Sequence, residues 1–143
     1  MKLRDILRSK GENVVVIRPD APVHEAMQLL VEHNIGALVV QDGEIDGIFT
    51  ERDLLRAGAE SLERLERDRV RDLMTADVVT VSLDADLQEV MRTMTERRIR
   101  HLPVVEDGVL RGIISIGDVV NALRRDIEEE NQHLHAYIAG VRA

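Results

Sequence analysis

Apolar and polar positions follow one another in blocks whose period changes in a fixed order, and the chain runs through that order twice. Val14 to Ile17 is a short β-branched run that reads as a strand. Asp20 then offers an N-cap and Pro22 suits a first helical turn, while Val23, Ala26, Met27 and Leu30 recur at i, i+3, i+4 and i+7, the stripe of an amphipathic helix. Ile35 to Val40 reads as a second strand, Asp42-Gly43 as a tight hairpin turn and Ile45 to Phe49 as a third strand. A closing helix is expected from near Thr50.

The second copy opens at Val78-Val79-Thr80-Val81, 64 residues after Val14. Asp84 is its expected cap and Leu87, Val90, Met91 and Met94 its stripe; Leu102 to Val105, Asp107-Gly108 and Leu110 to Ile114 repeat the hairpin, and a helix follows from near Ser115. The copies slip by one residue between Val40 and Gly43, then continue as Gly43/Gly108, Gly47/Gly112, Ile48/Ile113 and Asp53/Asp118. Self-similarity at a long period sets the architecture before any residue has a role. The expected fold is α/β of the α+β kind, two β-α-β-β-α repeats packed about a pseudo-twofold axis, with a C-terminal helical extension. Residues 1–69 are expected to form the first repeat with the N-terminal segment and a charged linker, and 70–143 the second repeat with the C-terminal helix. In the linker, opposite charges three and four apart from Glu60 to Arg69 favour a solvated helix. Leu123, Ile127, Leu134 and Ile138 continue the last helix as an apolar line interrupted by Asn131, expected to cap the module, with a partner-binding helix as the alternative.

Composition narrows the chemistry. At 143 residues the chain has the size of one ordinary domain, and each half is near the limit at which a lone core is marginal. The net charge of −8 argues against non-specific attraction to nucleic acid or to an anionic membrane surface. With no cysteine, disulfides, thiol catalysis and Cys-ligated metal are excluded. No apolar run approaches the ~18 residues of a membrane span and no signal peptide is visible, so a soluble cytoplasmic protein is expected. Phe49 and Tyr137 are the sole aromatics, which leaves aliphatic walls and backbone to hold any base.

Two tetrads occupy equivalent places, Thr50-Glu51-Arg52-Asp53 and Ser115-Ile116-Gly117-Asp118. A hydroxyl followed three residues later by an acid at a helix start resembles a capping box, but that box favours the longer Glu or Gln. The shorter Asp in both copies is expected to suit a ribose diol, with the hydroxyl and the free helix amides holding a phosphate.

With these motifs the chain resembles the CBS domain family, specifically a stand-alone tandem pair of CBS domains (a Bateman module). The resemblance runs from about Ile6 to Arg124 through Val14–Ile17, Ile35–Val40, Gly47–Asp53, Val70–Thr75, Ile99–Val104 and Gly112–Asp118. It implies a non-catalytic regulatory sensor of adenosine-containing ligands such as AMP, ADP, ATP, NAD(H) or S-adenosylmethionine, with AMP or NAD(H) foremost and no catalytic cofactor. It also implies sites that combine the repeats. Thr50 and Asp53 would face Val78, Val79, Ile99, Arg100, His101 and Pro103, and Ser115 and Asp118 would face Asn13, Val14, Ile35, Gly36 and Ala37.

Arg97 and Arg98 are expected as cations at a helix C-terminus and Arg100, one step into the strand, as a phosphate contact, so the Thr50/Asp53 site is expected to prefer phosphorylated ligands. The corresponding Gly36 and Ala37 bring no charge, and Lys10 or Arg52 are the next cations to suspect should the Ser115/Asp118 site take the phosphate instead. His133 and His135 point roughly 200° apart on a helix and are not expected to share a metal. No nucleophile-base-acid spacing argues for an enzyme. A homodimer, a regulated protein partner of unspecified identity, and signalling by population shift complete the expectation. The rival reading is a protein-binding scaffold with vestigial clefts.

Overall fold

The computed structural model describes residues 1–138, which form two compact units. One, the Asp53 unit, comprises Asn13–Thr80; the other, the Asp118 unit, joins Met1–Glu12 to the chain from Val81 onward. Neither coincides with the expected division at residue 69, and 139–143 of the second expected segment lie outside the described residues.

In the Asp53 unit, β1 (Val16–Ile17), α2 (Val23–His33), β2 (Ala37–Asp42), β3 (Glu44–Thr50) and α3 (Glu51–Glu60) follow in the expected order. The linker then supplies α4 (Glu63–Arg67) and α5 (Val70–Leu73). Along α2, Val23, Ala26 and Leu30 are buried with Leu38, Val40 and Phe49, so the 3.6-residue stripe is the core face. The helix ends at Asn34, whose φ of 52° is the left-handed cap that breaks the ladder. Arg64 bridges Asp68 at 2.8 Å and Glu60 along the linker, the pairing that its charge pattern predicts.

The Asp118 unit contains α1 (Leu3–Lys10), α6 (Leu87–Arg97), β4 (His101–Glu106), β5 (Val109–Ser115) and α7 (Ile116–Ile138). Leu87, Val90 and Met94 repeat the buried stripe, Arg97 lies in the last turn of α6 and Arg98 is its left-handed cap at φ 55°. The hairpins correspond pair for pair: Leu38 faces Phe49 as Leu102 faces Ile114, and each register shifts once, between Val40 and Gln41 and between Val104 and Val105. Their turns differ. Asp42 stays in the ladder opposite Glu44, leaving Gly43 to turn alone at φ 83°, whereas Asp107 and Gly108 both adopt positive φ as a two-residue turn requires. The one-residue slip therefore lies in the turn.

Three local expectations are corrected. Val78 to Val81 is not a strand among the described residues; only Val81 bridges Val104. In the Asp53 unit, Val39 donates its amide to the Val15 carbonyl at 3.2 Å, and Pro103, at the matching place, has no amide to donate. Asp20 and Asp84 are not the caps of α2 and α6, which begin one turn corner later with Pro22 and Asp86 as N-cap residues. The delay has a cause in the backbone: Val23 donates to Asp68 and Val70 to Ala21, just as Leu87 donates to Met1 and Leu3 to Ala85.

These last bonds explain the division into units. The segment before the first repeat, Lys2-Leu3-Arg4-Asp5-Ile6-Leu7, and the segment before the second, Arg69-Val70-Arg71-Asp72-Leu73-Met74, are alike in sequence. Each is hydrogen-bonded into the unit built on the other repeat, in the same pattern. Glycine permits the close approach. A Cβ on Gly47 would lie 2.7 Å from the Thr75 carbonyl oxygen and 2.8 Å from Met74 Sδ, and one on Gly112 would lie 3.0 Å from Leu7 Cδ2.

Candidate functional site

The hairpin of each unit delivers its last strand residue directly into a helix. Thr50 is the N-cap of α3, with its amide donating to Asp53 Oδ2 at 2.9 Å and the Asp53 amide donating to Thr50 Oγ1 at 3.4 Å. The Thr50 hydroxyl also donates to the same carboxylate oxygen at 3.2 Å. Thr75, carried in by α5, donates to Asp53 Oδ1 at 3.4 Å. Asp53 is only 6 % exposed, a buried acid whose oxygens are hydrogen-bonded as burial requires.

The Asp118 unit repeats the reciprocal pair. The Ser115 amide donates to Asp118 Oδ2 at 2.9 Å and the Asp118 amide to Ser115 Oγ at 3.2 Å. Here the third partner is charged. Lys10, the last residue of α1, donates to Asp118 Oδ2 and, at 2.9 Å, to the Ile113 carbonyl. Burial alone would raise the Asp118 carboxyl, but the Lys10 ammonium, then the Ser115 amide and hydroxyl, outweigh it and hold the group below its ordinary value.

The geometry removes one argument drawn from the sequence. An Asp three residues into a helix does reach back to the cap amide, and it does so four times: Asp5 to Lys2 at 3.0 Å, Asp72 to Arg69 at 2.8 Å, and the Thr50 and Ser115 cases. Choice of Asp over Glu therefore does not by itself mark a ligand site. What sets Asp53 and Asp118 apart is the hydroxyl partner and a further donor from the exchanged segment.

The expected site residues divide between the units. Asn13, Val14, Ile35, Gly36, Ala37, Thr50, Asp53, Val78 and Val79 belong to the Asp53 unit, and Ile99, Arg100, His101, Pro103, Ser115 and Asp118 to the other. Within the first, Ala37 is the register partner of Thr50, and the Gly36 carbonyl accepts the Glu51 amide at 3.1 Å. Within the second, His101 is the register partner of Ser115, and the Arg100 carbonyl accepts the Ile116 amide at 2.8 Å. Each strand entry thus lies beside the helix start of its own unit. Arg100 is exposed, and Pro103 is buried.

Two residues were not anticipated as donors to the acids, Thr75 and Lys10. Lys10 is 108 positions from Asp118, and its role arises from the exchange of α1, which no local pattern announces. Behind Asp53 lies an open depression of about 240 Å³ with Arg56, Glu60 and Arg64 on its wall. Behind Asp118 the equivalent depression holds about 340 Å³, within the usual ~300–1,000 Å³ of small-molecule sites, with Lys10, Asn121 and Arg125 on its wall. Among the described residues no group of His, Asp or Glu is placed to hold a metal ion, and no helix is long and apolar enough to cross a membrane.

Comparison with known proteins agrees with this architecture. The CBS domain family pattern matches residues 3–60 and 70–125. The chain is 38 % identical to the CBS domain-containing protein CBSX3, mitochondrial, of Arabidopsis thaliana over 148 aligned positions, 96 % of this chain and 72 % of that protein. Among solved structures it is similar to the CBS-domain containing protein ATU1752 from Agrobacterium tumefaciens, with a TM-score of 0.82 and 44 % identity over 85 % of this chain and 98 % of that one. It is also similar to the CBS domain pair of protein MJ0100 in complex with 5'-methylthioadenosine and S-adenosyl-L-methionine, with a TM-score of 0.77 and 26 % identity over 88 % and 98 % of the two chains. Two matched repeats, two reciprocal hydroxyl-acid helix starts and the same hairpin register in both copies have one reading: the chain belongs to the CBS domain family and carries two CBS domains in tandem.

Proposed function

We propose that this protein is a non-catalytic regulatory module of the cytoplasm that binds adenosine-containing ligands, with AMP, ADP, ATP or NAD(H) foremost. The carrying observation is the pair of hydroxyl-acid helix starts, Thr50 with Asp53 and Ser115 with Asp118. Asp53 keeps one acceptor site on Oδ1 and Asp118 has its Oδ1 for a ribose hydroxyl, and each helix start presents amides toward an anion. The ligands named for the MJ0100 domain pair, both built on adenosine, support that ligand class. In this reading the backbone at Val14, Val78 and Val79 meets the adenine edge. Aliphatic side chains such as Ile35, Ile99 and Pro103 flank the ring, with Ala37 and His101 at the strand entries.

Ligand binding would favour one conformation of the module, and a regulated protein partner would read that shift. The active species is a homodimer. Titration calorimetry of protein stripped of co-purified small molecules tests the reading with AMP, ATP, NAD(H) and S-adenosylmethionine. Saturable binding of at least one, weakened in Asp53→Ala or Asp118→Ala, supports it. No binding by any of them would favour the scaffold reading instead.

A further inference from the structure

α7 begins packed and ends bare. Val119 and Ala122 are buried, yet every residue from Arg124 to His135 is exposed, roughly 18 Å of helix at 1.5 Å per residue with nothing among the described residues packed against it. A solvated helical stretch of that length is marginal in water on its own. It is not polar all round. Val120, Ile127, Leu134 and Ile138 are 48, 58, 54 and 79 % exposed.

Their spacing is that of a coiled-coil seam. Val120, Ile127 and Leu134 recur every seven residues, and Asn131 and Ile138 fall four residues after the latter two, which is the a/d alternation with Asn131 at an a position. Arg124, the remaining seam residue, is drawn toward Glu128 of its own helix at 4.0 Å.

We propose that this seam is covered by α7 of a second copy of the chain, running parallel. Parallel pairing sets Asn131 against Asn131 of the second copy, polar to polar, with Ile127 and Leu134 meeting their own counterparts. It also brings Glu130 beside His135 of the second copy, the g-to-e' contact of a parallel pair. Antiparallel pairing does the reverse. In every antiparallel register an a position meets a d position, so Asn131 would face Val120, Ile127 or Leu134, a polar side chain against an apolar one. Parallel pairing also brings Arg124 to Arg124 of the second copy, a contact that Glu128 of the same helix offsets, and it is the one orientation that matches Asn131 with a polar partner, which sets both the partner and its direction. This deepens the homodimer reading above by assigning its interface.

Sedimentation of the full chain tests it together with cysteine cross-linking, which is clean because the sequence has no cysteine. The wild type is expected to be dimeric at micromolar concentration, and Ile127→Glu with Leu134→Glu monomeric with an unchanged thermal transition of the packed units. Under mild oxidation, Asn131→Cys should cross-link to completion, since a-to-a' positions lie within disulfide reach, and Glu128→Cys should not. A monomeric wild type would overturn the homodimer reading and this one with it. A dimer that survives both Glu substitutions, or cross-links through Glu128→Cys in place of Asn131→Cys, would overturn the α7 assignment alone.

Discussion

The Lys10 ammonium sits on the Asp118 carboxylate, whereas the equivalent carboxylate of the other repeat, Asp53, is met there by the uncharged Thr75 hydroxyl. Two acids that are indistinguishable by motif therefore have different electrostatic surroundings. The difference comes from which preceding segment each unit receives: α1 ends in Lys10, and the residue just beyond α5 and Met74 is Thr75.

The first consequence is a pH-dependent contribution to stability. The folded-state pKa of Asp118 is depressed below the ordinary carboxylate value by the Lys10 ammonium, so the stabilisation is present above that ordinary value and is lost as pH falls through the folded pKa. Lys10→Met should cost about 0.5–1 kcal/mol at pH 7, the scale of a partly exposed pair. The gap from the wild type should close below the pKa of Asp118, where both proteins carry a neutral acid. Urea melts from pH 7 down to acid measure it; a gap that stays constant throughout would mean that Lys10 contributes by packing alone.

Asp53 serves structure whatever it binds, so its substitution must separate two effects. Asp53→Ala loses the cap and the Thr75 contact and should lower stability by about 1–2 kcal/mol. Asp53→Asn keeps an oxygen for the Thr50 amide and should retain most of that, while losing the charged acceptor that contributes roughly 1.5–3 kcal/mol to a ribose contact. Parallel melts and adenosine-ligand titrations on both variants decide it. Equal binding by Asp53→Asn and wild type would leave Asp53 as a cap only.

Gly47 and Gly112 are matched in sequence but not in the hardness of what they face. The neighbour of Gly47 includes a backbone oxygen at 2.7 Å that pairs in a bridge with Ile48, and the neighbour of Gly112 is the tip of the Leu7 side chain. Gly47→Ala should therefore cost about 1–3 kcal/mol as overpacking, and Gly112→Ala distinctly less because Leu7 can turn away. Thermal denaturation of the two variants side by side gives the comparison, and equal losses would contradict it.

What could be read from the chain was local. The stripes Val23-Ala26-Leu30 and Leu87-Val90-Met94, the hairpins and the linker pairs of Arg64 depend on residues within a turn or a strand of each other, and all are found. Helix starts were misplaced at Asp20 and Asp84 because the true boundary is set by bonds to Asp68 and Met1, far away in sequence. Pro103 illustrates a local signal whose effect was remote: its missing amide leaves Val78 to Val81 as a bridge, although their composition is that of a strand. The likeness of Lys2–Leu7 to Arg69–Met74 was visible too. Which unit each segment would join was not, since that choice rests on pairing with Ala85 and Ala21. For the candidate site, the hydroxyl and acid were legible as a motif, and their supporting donors Lys10 and Thr75 were not.

Lys10 also changes the expectation for ligand charge. The sequence assigned phosphate recognition to Arg100 and kept Lys10 or Arg52 as the next cations to suspect at the Ser115/Asp118 end; Lys10 stands there, and Arg125 lines the same depression. An ammonium has three donors; two are used on Asp118 and Ile113, and the third remains for a ligand oxygen. Lys10→Gln should then weaken AMP by roughly 1.5–3 kcal/mol, the scale of one charge-assisted bond, and weaken adenosine far less. Arg100→Gln supplies the comparison: if Arg100 alone holds phosphate, it will show the AMP-selective loss and Lys10→Gln will not. Calorimetric titration of both variants with AMP and adenosine resolves the roles, since only the cation that holds phosphate gives an AMP-selective loss. Equal losses for AMP and adenosine in Lys10→Gln would show that Lys10 orders Asp118 and takes no part in reading ligand charge.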